Sequence, residues 1–388
     1  MTKTHLLLGV VSLSVCSVAY GWEPRLVSWM PANRMHLARA FFAAAQLPNG
    51  NVLVAGGFDN NIDFRDSEIY NWHTGTWTSA APMKELRAAP VAVQLENGRI
   101  LVIGGGPWTR TNQSNVFLAS CEIYDPRMNA WLSTGSMHDA RFEDFAAFLL
   151  PGHKVLVAGG AGNDPTSTVV PGLSSAEIYD EATGTWSRTS SMNMPRGELA
   201  AVMLHDGRVL VTGGWPHDGA APTNTAEIFD PVTQKWSSAG SMHAARADHV
   251  AVVLRDGRVL VAGGLYPTEE FPRLKSAEIF DPDAEKWTPT GDMTYPNSDA
   301  AALLLPDGRV LVTGGHIDHE TESSSATLYD PETGTWSPAG FMSTVRAGHA
   351  AIMLPGNRGV LVMGGLYNSP LATPNADIFE LCRCPDFH

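Results

Sequence analysis

ARADHVAVVLRDGRVLVAGG, residues 245–264, holds two short β-rich runs, HVAVVL and RVLVAGG, joined by the turn RDG. Valine and leucine suit a pleated, half-buried surface, and an Asp-Gly turn between two such runs reads as a hairpin. The unit continues through a variable loop to SAEIFD (residues 276–281), then a Pro/Asp turn, then a run that opens at Trp287. Four short strands in succession make one antiparallel sheet, whose strands are called a, b, c and d from the inside outward.

Copies of this unit recur, indexed by a Trp, a Met six residues later, and a Gly-Gly pair 21 or 22 residues after the Met. The seven tryptophans are Trp29, Trp77, Trp131, Trp186, Trp236, Trp287 and Trp336, and the glycine pairs begin at Gly56, Gly104, Gly159, Gly213, Gly263, Gly314 and Gly364. A period of 48–55 residues is the mark of a propeller or solenoid array. The seventh unit has strands a, b and c (NADIFE, 375–380) but no Trp run, whereas RLVSWMPANRM (25–35) carries Trp29 and Met35 ahead of the first strand a. The expectation is an all-β, seven-bladed β-propeller spanning residues 22–380, its last blade closed by an N-terminal strand within residues 25–35. Such closure removes the open sheet edges that invite aggregation.

Composition narrows the functional classes. With 40 acidic against 26 basic residues the net charge is −14, which disfavours nucleic-acid binding through counterion release. Residues 1–21, MTKTHLLLGVVSLSVCSVAYG, place Lys3 before an apolar run and small residues near Ala19, the layout of a secretory signal peptide. No later apolar run is long enough for a membrane span. The mature chain is expected to be extracytoplasmic and monomeric, with residues 381–388 as a tail. Cys121, Cys382 and Cys384 are too few for a disulfide framework and lack the spacing of a metal knuckle.

The Gly-Gly that ends strand b, the aromatic of EIYD or EIFD, and the Trp about six residues on resemble the kelch repeat. SDAAALLLPDGRVLVTGG, residues 298–315, is most similar to the kelch propeller of galactose oxidase-like secreted proteins. Relatives of that kind include oxidases, epimerases, lyases and pure binding modules, so the resemblance implies a fold more than a reaction. It also implies a face where the b-to-c and d-to-a loops open together around the axis.

Function is sought on those loops, because binding residues collect on loops carried by a rigid scaffold. Four residues after the Met stands an Arg in six units, Arg39, Arg87, Arg141, Arg196, Arg246 and Arg346, with Asn297 in the sixth. Their planar donors either form an electropositive rim for a carboxylate-bearing ligand or tie the loops to neighbouring groups. Two residues on come Phe41, Ala89, Glu143, Glu198, Asp248, Asp299 and Gly348; three on come Phe42, Pro90, Asp144, Leu199, His249, Ala300 and His349. In the galactose oxidase resemblance these two positions carry Tyr and His ligands of copper, but this chain has no Tyr at either. What stands there is a set of carboxylates with His249 and His349, candidates for general acid–base work, for a divalent metal, or for pairing with the arginines.

Catalytic candidates are therefore Asp248, His249, His349, Glu198 and Asp299. HIDHE, residues 316–320, adds His316, Asp318, His319 and Glu320 as an alternative metal-ligand group. Trp108, Trp215, Tyr266 and Tyr367 in the b-to-c loops are aromatics of the kind that stack on sugar rings or anchor a peptide. No cofactor is specified beyond a possible divalent metal, and the expected partner is a glycan or a protein segment, by binding or, alternatively, by carbohydrate chemistry.

Overall fold

The computed structural model of the protein describes residues 28–108, 117–163, 169–217, 219–266, 272–318 and 321–381. Seven four-stranded antiparallel sheets follow one another along the chain. In blade five the opening motif supplies strand a (Val250–Val253) and strand b (Val259–Ala262), with Val250 opposite Ala262. Strand c (Ala277–Asp281) and strand d (Lys286–Pro289) complete it. The ring closes as the repeat requires, because Ser28–Ala32 pairs with Ala376–Glu380 and sets Trp29 opposite Phe379. No helix among the described residues is long and apolar enough to cross a membrane. The 1–21 segment, Cys382, Cys384, His319 and Glu320 lie outside the described residues.

The repeated letters are explained by packing between blades. Each strand b is buried on both faces, as VLVA is in blade five, and side chains from neighbouring blades interdigitate. Leu260, Ala262 and Ile279 of blade five, for example, meet Val310, Val312 and Tyr329 of blade six around Met293. Fully burying such an aliphatic side chain contributes about 1.5–3 kcal/mol. All seven repeat methionines are at most 4 % exposed, so they fill wedges between blades. Each Trp packs against an aromatic ring of strand c, as Trp77 does on Tyr70 at 5.1 Å. Its indole N–H then donates to a carbonyl of the preceding connection: Trp77 to Asn33 at 2.7 Å, Trp287 to Ala239 at 2.9 Å.

Glycine is required where blade meets blade. Gly263 has φ +71°, and a Cβ there would stand 2.6 Å from the carbonyl oxygen of Asn297, on the connection into blade six. Cys121, which opens strand c of blade two, is 2 % exposed, and burial pushes its thiol up to about 12. Thiols of that kind do not react. Iodoacetamide at pH 8 should therefore leave Cys121 unmodified in the native protein and alkylate it after unfolding in urea, as read by peptide mass.

Candidate functional site: the acidic axial mouth

The b-to-c and d-to-a loops do share one face, tied by a short bridge in every blade, as Ala247 with Leu265 and Gly197 with Trp215. The arginines do not form its rim. All six are 0 % exposed, with the guanidinium turned into its own blade. Arg246 donates through Nη1 to the carbonyls of Gly263 and Ser276, at 2.7 and 3.0 Å, and through Nη2 to Glu278 at 3.1 Å. Glu278, on strand c, in turn accepts the backbone N–H groups of His243 and Ala244. The same construction joins Arg39 to Glu68, Arg87 to Glu122, Arg141 to Glu177, Arg196 to Glu227 and Arg346 to Asp377. The physical reason is charge balance: five donors and a full charge can be buried only opposite a carboxylate and carbonyls.

His249 and His349 are likewise withdrawn from the mouth. Their Nε2 atoms meet the hydroxyls of Thr212 and Thr313 at 2.7 and 2.9 Å, in the wedges between blades. Burial, with Arg246 nearby in one case and Arg346 in the other, holds both imidazoles well below the usual range, so they are neutral packing groups.

The axis is drawn by backbone. The residue two beyond each Arg position (Phe41, Ala89, Glu143, Glu198, Asp248, Asp299, Gly348) is left-handed, with φ between 47° and 57°. Six of them are not glycine, so this conformation is held against its intrinsic cost. Amide-to-carbonyl bonds of 2.8–3.2 Å run in one direction around the circle, Ala89 to Phe41, Phe41 to Gly348, Gly348 to Asp299, Asp299 to Asp248, and Asp248 to Glu198.

In blade three the chain has one extra residue at this point. Ala146, five residues after Arg141, pairs with Ala158, whereas Val250, four after Arg246, makes the equivalent pair with Ala262. Phe145, not Asp144, therefore occupies the place of Leu199 and His249 against the second glycine of the pair. Asp144 is the insertion, with φ 30°, and it extends to the axis.

There it joins the acids of the next blades: one oxygen each of Asp144, Asp248 and Asp299 lies within 4.8 Å of the others. Burial, then the charge of Asp299, pushes Asp144 up to about 7 although solvent still reaches it. Glu198 is pushed up to about 7 by burial, then by Asp299 and Asp144. Asp248 is raised well above the carboxylate range by burial and by Glu198, Asp299, Asp144 and Glu143. Like charges this close cannot all ionise, so near neutral pH the cluster shares protons and both donates and accepts hydrogen bonds. His316 Nδ1 faces Asp299 at 3.1 Å, and Arg273, its pKa lowered by burial, lies in the field of Asp299, Asp248 and Asp318.

The mouth has two halves. Beside the acids, Glu143, Glu198, Trp215 and His217 line a cleft with Phe117 and Val170. Across the axis, Trp108 is stacked on Phe58 and Phe41 at 4.4 and 4.8 Å, so it plugs the loops of blades one to three instead of standing free. Tyr266 and Tyr367 remain exposed, as the loops suggested. The Asp144, Asp248 and Asp299 oxygens are hard donors that suit a magnesium-, calcium- or manganese-type ion. They do not suit the copper centre of the galactose oxidase resemblance, since no Tyr stands two or three residues beyond any of the Arg positions and the Nε2 of each imidazole is bonded to a threonine.

Fold and repeat together define a seven-bladed propeller with its functional loops on one face. The chain belongs to the kelch-repeat family: residues 145–365 match the KLHDC2/KLHL20/DRC7 Kelch-repeats domain, and residues 39–84 match the Kelch motif. An F-box/kelch-repeat protein of Arabidopsis thaliana is 39% identical over 103 residues, 26% of this chain and 25% of the relative. The match thus spans about a quarter of the length of that curated relative. Among solved structures, a fungal alcohol oxidase of the AA5 family in complex with copper superposes with a TM-score of 0.73 at 18% identity, covering 92% of this chain and 76% of that one. The structure of YjhT superposes with a TM-score of 0.60 at 13% identity, covering 79% and 99%. At these identities the likeness is one of fold.

Proposed function

We propose that this kelch propeller is an extracytoplasmic binding protein that takes a glycan at the acidic axial mouth. The observation that carries the reading is the convergence of Glu143, Asp144, Glu198, Asp248 and Asp299 from four consecutive blades, with Trp215 beside Glu198. Partly protonated carboxyls can donate to and accept from sugar hydroxyls, and an indole face can stack on the ring. With the arginines inside the blades, an acidic sugar has little to hold it, so the ligand is neutral or cationic.

A glycan array should find binders for the wild type and at least a ten-fold loss of affinity for Glu198→Gln or Trp215→Ala. Binding that survives both substitutions, or a response to peptides alone, overturns the reading. N-terminal sequencing of the mature protein tests the proposed location, with a start near Tyr20 or Trp22 expected.

A second reading, a carbohydrate-active enzyme, is favoured by one feature. Asp144 and Glu198, each raised to about 7, would stand near working pH as general acids. Products released from a bound polysaccharide, and lost with Glu198→Gln, would establish it.

A further inference from the structure

Blade six departs from the other six in the interior, and it does so at both halves of one interaction. Elsewhere the Arg and the strand-c carboxylate pin the connection arriving from the previous blade. In blade five that connection is held by two carbonyl bonds, an ion pair and two amide bonds to Glu278. Blade six has Asn297 and Thr327 at those places, both buried at 7 % and 4 % exposure. The paired loss has a simple reason, since a buried carboxylate without its guanidinium would be an uncompensated charge.

The shorter side chains do not replace the bonds. Among the described residues, none of the side-chain hydrogen bonds runs from Asn297 to the carbonyl of Gly314 or Ser325, or from the amides of Thr294 and Tyr295 to Thr327. The backbone bonds that remain are Met293 N–H to Lys275 at 2.8 Å, as in the other blades, and Asn297 N–H to Leu274 at 3.4 Å, against 2.9–3.3 Å for the equivalent bonds of Arg87, Arg141, Arg196, Arg246 and Arg346. The blades still touch through Gly264 N–H to Asn297 at 2.7 Å and Asp299 N–H to Asp248 at 3.2 Å. The loosened connection therefore lies between Asp248, at the axial end of blade five, and Asp299, at that of blade six.

We infer that the junction of blades five and six is the compliant joint of the ring, and that its opening sets the separation of Asp248 and Asp299 at the acidic mouth. The inference rests on the interior pairs and is independent of what the mouth binds. Segments with fewer buried partners open at lower free energy and exchange their amides faster.

Native-state hydrogen exchange on the full chain tests it internally, comparing Thr294 and Tyr295 with His243 and Ala244, their counterparts in blade five, after correction for intrinsic rates. At least ten-fold faster exchange is expected at Thr294 and Tyr295, and installing the missing pair as N297R/T327E should remove the difference. Equal or slower exchange at Thr294 and Tyr295 in the wild type would overturn the inference, and that comparison stands even if the double variant fails to fold.

Discussion

Replacing Arg246 with Ala should destabilise the protein by about 3–5 kcal/mol, the size expected when one partner of a buried ion pair is removed. The guanidinium is 0 % exposed and bonds Gly263, Ser276 and Glu278, so its loss strands the Glu278 carboxylate inside blade five. Glu278→Ala should cost a similar amount for the mirror-image reason. The exchange Arg246→Asn with Glu278→Thr, which reproduces blade six, should cost less than the sum of the two single changes, because no charge is left unpaired. Urea unfolding of the four proteins measures this. Single changes within about 1 kcal/mol of wild type would show that the arginines are not what holds each connection to its blade.

The axial acids should contribute a stability that falls as pH rises through the neutral range, opposite to the behaviour of carboxylates held in salt bridges. Asp144 and Glu198 have folded values of about 7, above the 3.8 and 4.5 of the free groups. Between roughly pH 4 and 7 these two groups therefore bind more protons in the folded state than in the unfolded chain, and linkage makes their contribution to the free energy of unfolding decrease with pH there. Below that window both states are protonated and the penalty is absent; above it both are ionised and the penalty is complete. Discounting for the solvent that reaches the cluster, its whole contribution is on the order of 2 kcal/mol. The buried neutral imidazoles of His249 and His349 contribute the opposite slope, gaining stability as pH rises through the usual histidine range. The acids are therefore read by difference: Asp299→Asn, which removes the charge that raises both Asp144 and Glu198, should raise the urea midpoint more at pH 8 than at pH 5. An equal shift at the two pH values would mean that the acids are not mutually repelling at the axis.

The fold was legible because seven wedges must satisfy one geometry: Trp, Met and Gly-Gly recur where each packs, bonds or turns against the next blade. The Arg–Glu pair was legible in principle. The strand-c motif carries Glu68, Glu122, Glu177, Glu227, Glu278 and Asp377, and the one unit lacking the Arg, at Asn297, also lacks the acid, at Thr327. That correlated loss is the signature of a buried pair, and it argues against a ligand-binding rim.

The place of Asp144 was harder to read. Arg141 lies 18 residues before Gly159 where most units have 17, but Arg346 also lies 18 before Gly364. In blade seven the extra residue is taken up at the a-to-b turn, since Ala350, four residues after Arg346, pairs with Met363. Only strand register separates the two cases. Trp108 could not be assigned from its own loop, because the rings that cover it, Phe41 and Phe58, come from another blade. Proximity of the loops was foreseeable; which of their side chains would satisfy one another was not.

The account's central claim is that the axial carboxyls, and not the arginines, face the ligand. Titration calorimetry of the tightest glycan from the array, against wild type and an Asp144→Asn, Asp248→Asn, Asp299→Asn triple variant, tests it most directly. The prediction is at least a ten-fold loss of affinity in a variant that melts no lower than wild type at pH 8. Unchanged affinity in the folded triple variant would contradict it.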